Sequence, residues 1–477
     1  MKLFASIYIG SGEVILKIFE ISKEKKLKEI DCLRSSTDIM KDIYKDGKVS
    51  LSTTETLCNT LSDMKETFLS YKVDDYLAYA GHTLASASND RFVLEQILLK
   101  TGIDVTLLSN SEHRFLGYEA IASIPSFEEM IEDDAVIVDV GGANLQITLF
   151  HKAKIVTTQH LHLGTYSTKA SLQKLAEARD YKEQISALID KELDTFVKVY
   201  MKDIRPTYLI MIGDRVLKKA IESKNIVNDE NRIVYEPLIL LHKEIVKMID
   251  AKKVIVPDVS ISDGIALHYA YKNKLLKAEH SFDDDILSAA WSIARRYNSY
   301  EPHLKALEKL SVQIFDSTKK YHSMGKRERL LMRVVCILHD CGKYISLSNT
   351  SECTYTIIKQ SEILGLTHKE REIVAIVSAL NRRDLLSYSE LADRFTEEEY
   401  WVMVQLLAIL KVANAMDRSH KQKFKNVHMS VKDKKLDILI EANSSISLEK
   451  GLFKEKADFF EEVFAIRPVI REKRVLS

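Results

Sequence analysis

The sequence predicts an α/β fold up to about residue 280, a mainly helical region after it, and a short mixed tail. Short apolar runs rich in Ile and Val alternate with helix-period segments in the first region. Strands that alternate with helices indicate α/β layers. Helix-period segments predominate over residues 281–424, and short alternating segments return over residues 425–477.

Apolar spacing sets the elements expected in each region. Alternation over four to eight residues predicts a strand, and apolar residues three and four apart predict a helix. Strands are expected within 3–21, at 74–80, 104–108, within 135–150, at 207–212 and 253–256, and helices at 52–71, 87–101, 168–202, 234–249 and 259–271. The later helices are expected at 284–297, 301–321, 326–341, 351–364, 368–380, 397–419 and 453–464, with short strands at 427–449 and 466–471.

The composition excludes several classes of protein. Lys plus Arg and Asp plus Glu are both 69 among 477 residues, and this zero net charge argues against a protein that coats duplex nucleic acid. The five cysteines are scattered without a C-x-x-C pair, which favours a reducing compartment. No apolar run approaches the ~18 residues of a membrane-spanning helix. We therefore expect a cytoplasmic protein that binds neither a membrane nor duplex nucleic acid.

Two strand–turn–strand segments rich in glycine form the first candidate site. Residues 10–12 (GSG) and 141–144 (GGAN) each separate two apolar runs. Such turns let backbone N–H groups approach an anion, and two facing turns can hold a phosphate chain. Asp139, just before the second turn, is a candidate ligand for Mg²⁺. Either turn alone is more often an ordinary hairpin. The predicted phosphate-binding residues are Gly10, Ser11, Gly12, Gly141, Gly142 and Asn144.

Motifs along nearly the whole chain resemble those of the exopolyphosphatase/guanosine-pentaphosphatase (Ppx/GppA) family, within the actin-like ATPase superfamily. Residues 8–13 (YIGSGE) stand where the family has D-I-G-S-N-S, and residues 108–114 (LSNSEHR) where it has S-G-x-E-E-A-R. Residues 139–146 (DVGGANLQ) stand at D-I-G-G-G-S-T-E. Residues 262–264 (SDG) resemble R-E-G, and residues 338–343 (LHDCGK) resemble the L-H-D-I-G of an HD-like domain.

The resemblance implies an architecture and an activity. Two ribonuclease-H-like (actin-like) halves would span 1–122 and 123–280, an all-helical HD-like domain 281–424, and a small α+β appendage 425–477. The implied activity is release of terminal phosphate from inorganic polyphosphate or guanosine pentaphosphate by metal-assisted attack of water. Mg²⁺ and a homodimer are also implied.

The catalytic base that the resemblance implies has two candidates. Aligned on Glu-x-Arg, Glu112 takes this place; aligned on the Leu-Gly-Tyr that follows, His113 does. Asp139 would hold the metal in either case.

Departures from the family pattern support a second hypothesis. Tyr8 replaces an Asp, Glu13 a Ser, Ala143 a Gly and Gln146 a Glu. A Gln keeps the shape of a Glu but carries no charge and takes no proton. The alternative function is therefore a catalytically degenerate paralogue that binds polyphosphate or a guanosine nucleotide as a regulatory protein. An actin-like ATPase or kinase is a weaker third hypothesis, because no adenosine-site motif is recognisable.

The HD-like segment offers a weaker metal site. Its candidate ligands are His303, His339 and Asp340, and a later acidic position falls at Asn414 or Asp417. Imidazole and carboxylate ligands suit transition metals. Because few ligands are present, the favoured interpretation is that His339 and Asp340 form a hydrogen-bonded pair in a helical core.

Overall fold

The computed structural model describes residues 2–22, 24, 26–141, 144–164, 181–213, 229–381, 383, 385–442 and 444–472. The chain divides into two compact units, Met1–Phe282 and Asp283–Ser477. The first is α/β and the second mainly helical, as the sequence predicts. Among the described residues, no helix combines the length and the apolar character needed to cross a membrane.

The first sheet of the α/β unit has its strands in the order β3-β2-β1-β4-β5. Strands β1, β2 and β3 are antiparallel neighbours, whereas β4 and β5 continue parallel to β1. Helices cover this sheet through an apolar core that includes Leu16, Leu57 and Ile97. Its elements are β1 (Lys2–Ile9), β2 (Glu13–Ile21), β3 (Leu27–Ser36), α1 (Ile39–Asp46), α2 (Leu51–Ser70), β4 (Asp75–Ala80), α3 (His82–Ala85), α4 (Asp90–Thr101) and β5 (Thr106–Leu107).

The second sheet repeats this order from the opposite edge, as β10-β9-β6-β7-β8. Strands β6, β7 and β8 are antiparallel neighbours, whereas β9 and β10 run parallel to β6. Two ribonuclease-H-like halves therefore make up the unit. The remaining elements of the unit, in chain order, are α5 (Asn110–Ala122), α6 (Phe127–Glu132), β6 (Ala135–Val140), β7 (Leu145–His151), β8 (Lys154–Leu161), α7 (Tyr181–Phe196) with a π-helical turn at Val197–Met201, β9 (Tyr208–Gly213), α8 (Asp229–Ile249), β10 (Lys253–Ile255) and α9 (Ile261–Lys272).

Several elements differ from the sequence-based expectation. Strand β3 lies at a sheet edge with mostly polar, partly exposed residues, so it lacks the apolar alternation that reveals a strand. Helix α5 was not expected, although Ser109 and Glu112 form a capping box that marks its start. Residues 168–180 of the helix expected at 168–202 lie outside the described residues, and α7 occupies 181–196.

The second unit consists of packed helices and a three-stranded sheet in the order β11-β12-β13. Capping boxes at Thr367 and Thr396 begin two of the helices. Its elements are α10 (Phe282–Arg296), α11 (Glu301–Ser317), α12 (Lys326–Leu338), α13 (Thr350–Gln360), α14 (His368–Leu380), α15 (Glu397–Met416), β11 (Phe424–Lys432), β12 (Lys435–Ala442), α16 (Ser447–Phe464) and β13 (Arg467–Glu472).

The crossing of α5 and α9 depends on a glycine. A Cβ on Gly264 would overlap the carbonyl oxygen of Leu116, so only glycine permits this close approach. Helix α5 carries the predicted base candidates, and the crossing therefore holds a site element in place.

We predict that Gly264→Ala destabilises the protein by about 1–3 kcal/mol, because the added methyl must separate the two backbones. Gly451→Ala is the matched control, since a Cβ there meets nothing within 4 Å and the residue lies in α16. The control should be neutral or up to about 1 kcal/mol stabilising. Urea unfolding measures both, and equal effects would contradict the prediction.

Candidate functional site

A buried ion pair stands at the carboxyl end of the central strand of the second sheet. Asp139, the fifth residue of β6, is 8% exposed, and Arg114 of α5 is 3% exposed. Arg114 Nη1 lies 2.6 Å from Asp139 Oδ2. The predicted metal ligand is therefore already paired with a cation of the chain.

Arg114 also anchors both ends of the β6–β7 turn. Its Nη1 donates to the Asp139 carbonyl at 3.0 Å, and its Nη2 donates to the Asn144 carbonyl at 3.1 Å and to Asn144 Oδ1 at 2.7 Å. Gly141 leaves room for this, because a Cβ there would lie 3.0 Å from Arg114 Nη2. The predicted residue Gly142, with Ala143, lies outside the described residues.

A tyrosine–histidine pair occupies the corresponding end of the first sheet. Tyr8 lies at the end of β1, and its hydroxyl shares a hydrogen bond of 2.8 Å with Nε2 of His113, the fourth residue of α5. Burial lowers the pKa of His113 to about 4, and burial raises the pKa of Tyr8 far above its ordinary value. Both side chains are therefore neutral at pH 7.

The two base candidates have different surroundings. The Glu112 carboxylate accepts from Ser109 N at 2.9 Å and from Ser109 Oγ at 2.6 Å, so it caps its own helix. His113, one residue later, contacts Tyr8 and lies within the electrostatic influence of Asp139. The alignment of Ser109 with the Ser of the family motif S-G-x-E-E-A-R places His113 on its second Glu, whereas the alignment on Glu-x-Arg places Glu112 there.

Gln146 pairs with Asp139 across β6 and β7. It is 4% exposed, and its Oε1 has no hydrogen-bond partner among the described residues. A neutral amide therefore stands beside Asp139 where the family motif has a carboxylate.

The first glycine turn is tightly built. Gly10 N donates to Glu13 O at 2.8 Å, and the carbonyl of Gly12 accepts from Thr37 N. Within the described residues, no backbone carbonyl accepts the N–H of Ser11 or Gly12. Glu13 does not leave an unbalanced charge there, because Arg34 Nη1 lies 2.9 Å from Glu13 Oε1.

This set of residues does not fit Mg²⁺. Mg²⁺ requires octahedral oxygen ligands and is usually held by one or two carboxylates. Among the positions compared, Tyr8, His113 and Gln146 supply neutral groups, and the carboxylate of Asp139 faces Arg114. No chemical step through a magnesium ion is derived from this geometry.

Three buried residues of the helical unit form a second candidate site. One ligand atom each of His303, His339 and Asp340 lies within 4.8 Å of the others, the only such group among the described residues. His303 is 0% and His339 3% exposed. His339 Nε2 and Asp340 Oδ2 are 3.5 Å apart, and this nitrogen has no hydrogen-bond partner in the described chain. The hydrogen-bonded pair favoured from sequence therefore does not describe this contact.

Hydrogen bonds orient both imidazoles of this second site. His303 Nδ1 lies 2.7 Å from Asp417 Oδ2, and His339 Nδ1 lies 2.9 Å from the Cys336 carbonyl. These oxygens only accept, so each Nδ1 carries a proton, and Nε2 is the ring nitrogen left to contact a ligand. Neither Nε2 has a partner among the described residues.

Sequence reasoning missed three residues of these sites. Arg114 lies in the same motif as Glu112, but the sequence does not show that its side chain bonds to Asp139. Lys343 forms an ion pair with Asp340, and His420 stacks on His303 with ring centroids 3.7 Å apart. The later acidic position is Asp417, since Asn414 bonds instead to Asn381.

The lowered pKa of His113 predicts a loss of stability in acid. The unfolded state, with an ordinary histidine pKa near 6.5, binds the proton first as pH falls. The stabilisation is therefore complete above about pH 6.5 and is lost towards pH 4, by up to about 3 kcal/mol. In His113→Gln this part of the acid loss should be absent. Urea unfolding at pH 7, 5 and 4 measures it.

His428→Gln, on the exposed face of β11, is the matched control and should lose stability as the unaltered protein does. An equal acid loss in His113→Gln and the unaltered protein would contradict the assignment of a buried, neutral His113.

Two family models match the chain. The Ppx/GppA phosphatase family matches residues 18–261, and domain III of the Ppx/GppA phosphatases matches residues 288–457. A curated relative, the bifunctional 3-dehydroquinate synthase/phosphatase of Fusobacterium nucleatum, is 21% identical over 169 residues, which cover 34% of this chain and 25% of that protein. The chain thus spans about a quarter of the length of this relative.

Solved structures with similar folds include a Ppx/GppA family member from Aquifex aeolicus, at 19% identity and a TM-score of 0.47, covering 59% of this chain and 99% of that one. An exopolyphosphatase from Cytophaga hutchinsonii is 15% identical with a TM-score of 0.46, covering 58% and 100%. The first family model alone spans half of this chain and includes the second glycine turn, and the second model covers most of the helical unit. The chain therefore belongs to the Ppx/GppA phosphatase family.

Proposed function

We propose that the α/β unit binds the end of inorganic polyphosphate, or guanosine pentaphosphate, as a sensor or regulatory domain rather than as an efficient phosphohydrolase. The observation that carries this proposal is the replacement of the metal-binding carboxylates by neutral or paired groups. Tyr8 and His113 are neutral, Gln146 is an amide, and Asp139 is paired with Arg114.

The geometry of the first turn supports binding. The N–H groups of Ser11 and Gly12 donate to no backbone carbonyl among the described residues, and such groups bind phosphate oxygens without a side chain. The Glu13–Arg34 ion pair removes the repulsion that an unpaired Glu13 would exert on an anion.

The same geometry argues against fast turnover. Hydrolysis of a phosphoanhydride needs a positioned water, a base and cations that neutralise the spreading charge. A neutral His113 is able to accept a proton, but its Nε2 is already bonded to Tyr8. Loss of one catalytic group typically costs ~10²–10⁴-fold in rate, so several losses leave little turnover.

The test measures both binding and phosphate release by the full chain. We expect calorimetry to detect polyphosphate or guanosine pentaphosphate binding, and Ser11→Asp to weaken it about tenfold or more through charge repulsion. Ser11→Asn is the matched neutral control. No binding of either ligand, or equal effects of the two substitutions, would overturn the proposal.

The rate at which the unaltered chain releases phosphate from polyphosphate with Mg²⁺ should not exceed the rate of the Asp139→Asn variant. The triple variant Tyr8→Asp, His113→Glu and Gln146→Glu restores the carboxylates of the family motif and should raise release by roughly 10²-fold or more. Fast release by the unaltered chain that Asp139→Asn abolishes would establish the exopolyphosphatase instead.

A second candidate function is a metal-dependent hydrolase centre in the helical unit, favoured by the two unpartnered Nε2 atoms of His303 and His339. Histidine ligands commonly donate their other ring N–H to a carboxylate or carbonyl, as both residues do here. Two imidazoles and the Asp340 carboxylate suit Mn²⁺, Fe²⁺, Co²⁺ or Zn²⁺. Such an ion would supply Lewis acidity towards a phosphate ester and its attacking water.

Co²⁺ titration, followed by visible absorption, tests this centre. His339→Gln should weaken binding by about 100-fold, because it removes one ligand. Lys343→Gln should strengthen it about tenfold, because the Lys343 ammonium competes for the Asp340 carboxylate. Lys305→Gln, on an exposed face of α11, is the control and should change nothing. Absence of Co²⁺ binding, or binding indifferent to His339, would exclude the centre.

The homodimer implied by the resemblance and the cytoplasmic location expected from the sequence composition remain predictions. Sedimentation of the purified chain tests the first and fractionation of the source cells tests the second.

A further inference from the structure

The guanidinium of Arg114 lies among four oxygen atoms. Nη1 contacts Asp139 Oδ2 at 2.6 Å and the Asp139 carbonyl at 3.0 Å. Nη2 contacts the Asn144 carbonyl at 3.1 Å and Asn144 Oδ1 at 2.7 Å. One carboxylate, two backbone carbonyls and one amide oxygen therefore converge on a single cationic group.

These oxygen types are the ligands of hard divalent cations. Mg²⁺ and Ca²⁺ bind carboxylates, backbone carbonyls and Asn side-chain oxygens. Here the positive charge comes from the chain itself, because a guanidinium stays protonated at any physiological pH. The N–H groups of the guanidinium bond to several oxygens at once. A divalent cation would contact the same oxygens.

The guanidinium is held firmly in this place. Arg114 is 3% exposed, and a Cβ on Gly141 would lie 3.0 Å from its Nη2, so the backbone at Gly141 lies close against it. Removing one partner of a buried ion pair leaves the other charge uncompensated, and this is strongly destabilising. A metal ion would have to displace Arg114 from Asp139 to reach the carboxylate.

We infer that Arg114 is an internal replacement for a divalent cation, so that the β6–β7 turn of this chain is held in its ligand-binding form without a metal. Arg114 is thus a positioning residue, which acts on a ligand through the turn and not by direct contact. The inference goes beyond the proposed function, because it concerns the cation of the turn and not the identity of the phosphate ligand.

The experiment compares the melting temperatures of the full chain and three variants in EDTA and in millimolar Mg²⁺, without any phosphate ligand. The variants are Arg114→Met, Asp139→Asn and the double variant. Removing the guanidinium leaves the oxygens of Asp139 and Asn144 open to a metal ion, and a ligand that binds only the folded state raises the melting temperature.

We expect Mg²⁺ to raise the melting temperature of Arg114→Met by roughly 5–10 °C, and to have no such effect on the double variant. Mg²⁺ should change the melting temperatures of the unaltered chain and of Asp139→Asn equally, since any such change arises from Mg²⁺ bound away from Asp139. If Arg114→Met is unfolded in EDTA, the refolding yields of both Arg114 variants with and without Mg²⁺ replace the melting temperatures.

Two results would overturn the inference. A Mg²⁺ response of the unaltered chain that Asp139→Asn abolishes would show that a metal displaces Arg114. A melting temperature of Arg114→Met that does not rise with Mg²⁺ would show that the four oxygens do not form a cation site. Neither readout depends on phosphate binding, so failure here is distinguishable from failure of the proposed function.

Discussion

The ion pair between Arg114 and Asp139 is the interaction on which the candidate site depends. It joins α5 to the end of β6, and the same guanidinium bonds to Asn144 on the far side of the turn. Because both partners are buried, the pair is stable only if the charges remain balanced. The charge of Asp139 is therefore balanced within the protein, and a cation of the chain itself holds the two ends of the second glycine turn.

The corresponding end of the first sheet shows a matching change. Tyr8 stands where the family motif has an Asp, His113 is one of the two candidates for the place of the catalytic Glu, and the two side chains share one hydrogen bond. Burial favours the neutral form of each group. A carboxylate at either position would need a cation beside it, whereas the neutral pair needs none. The neutral Tyr8–His113 pair is thus consistent with the Arg114–Asp139 ion pair, since together they keep the site electrically balanced.

The helical unit follows a different principle. His303 and His339 are oriented by hydrogen bonds to Asp417 and to the Cys336 carbonyl, and their remaining nitrogens have no partner among the described residues. An unpaired buried nitrogen is costly unless a ligand or an ion satisfies it. Lys343 is bonded to Asp340 and so balances its charge in the metal-free chain. The two units of this chain thus contain separate candidate sites whose chemistry is governed by different residues.

The sequence by itself determined the α/β and helical regions, the two glycine turns and most of the helices, because apolar periodicity and capping boxes are local signals. It also showed the loss of carboxylates at Tyr8 and Gln146. Edge strand β3 was not predicted, since a half-exposed strand need not show alternating apolar and polar residues. Only the tertiary structure decided that Glu112 caps its helix, that His113 meets Tyr8, and that Arg114 neutralises Asp139. These contacts join residues from separate strands and helices, and such distances arise only when the chain packs.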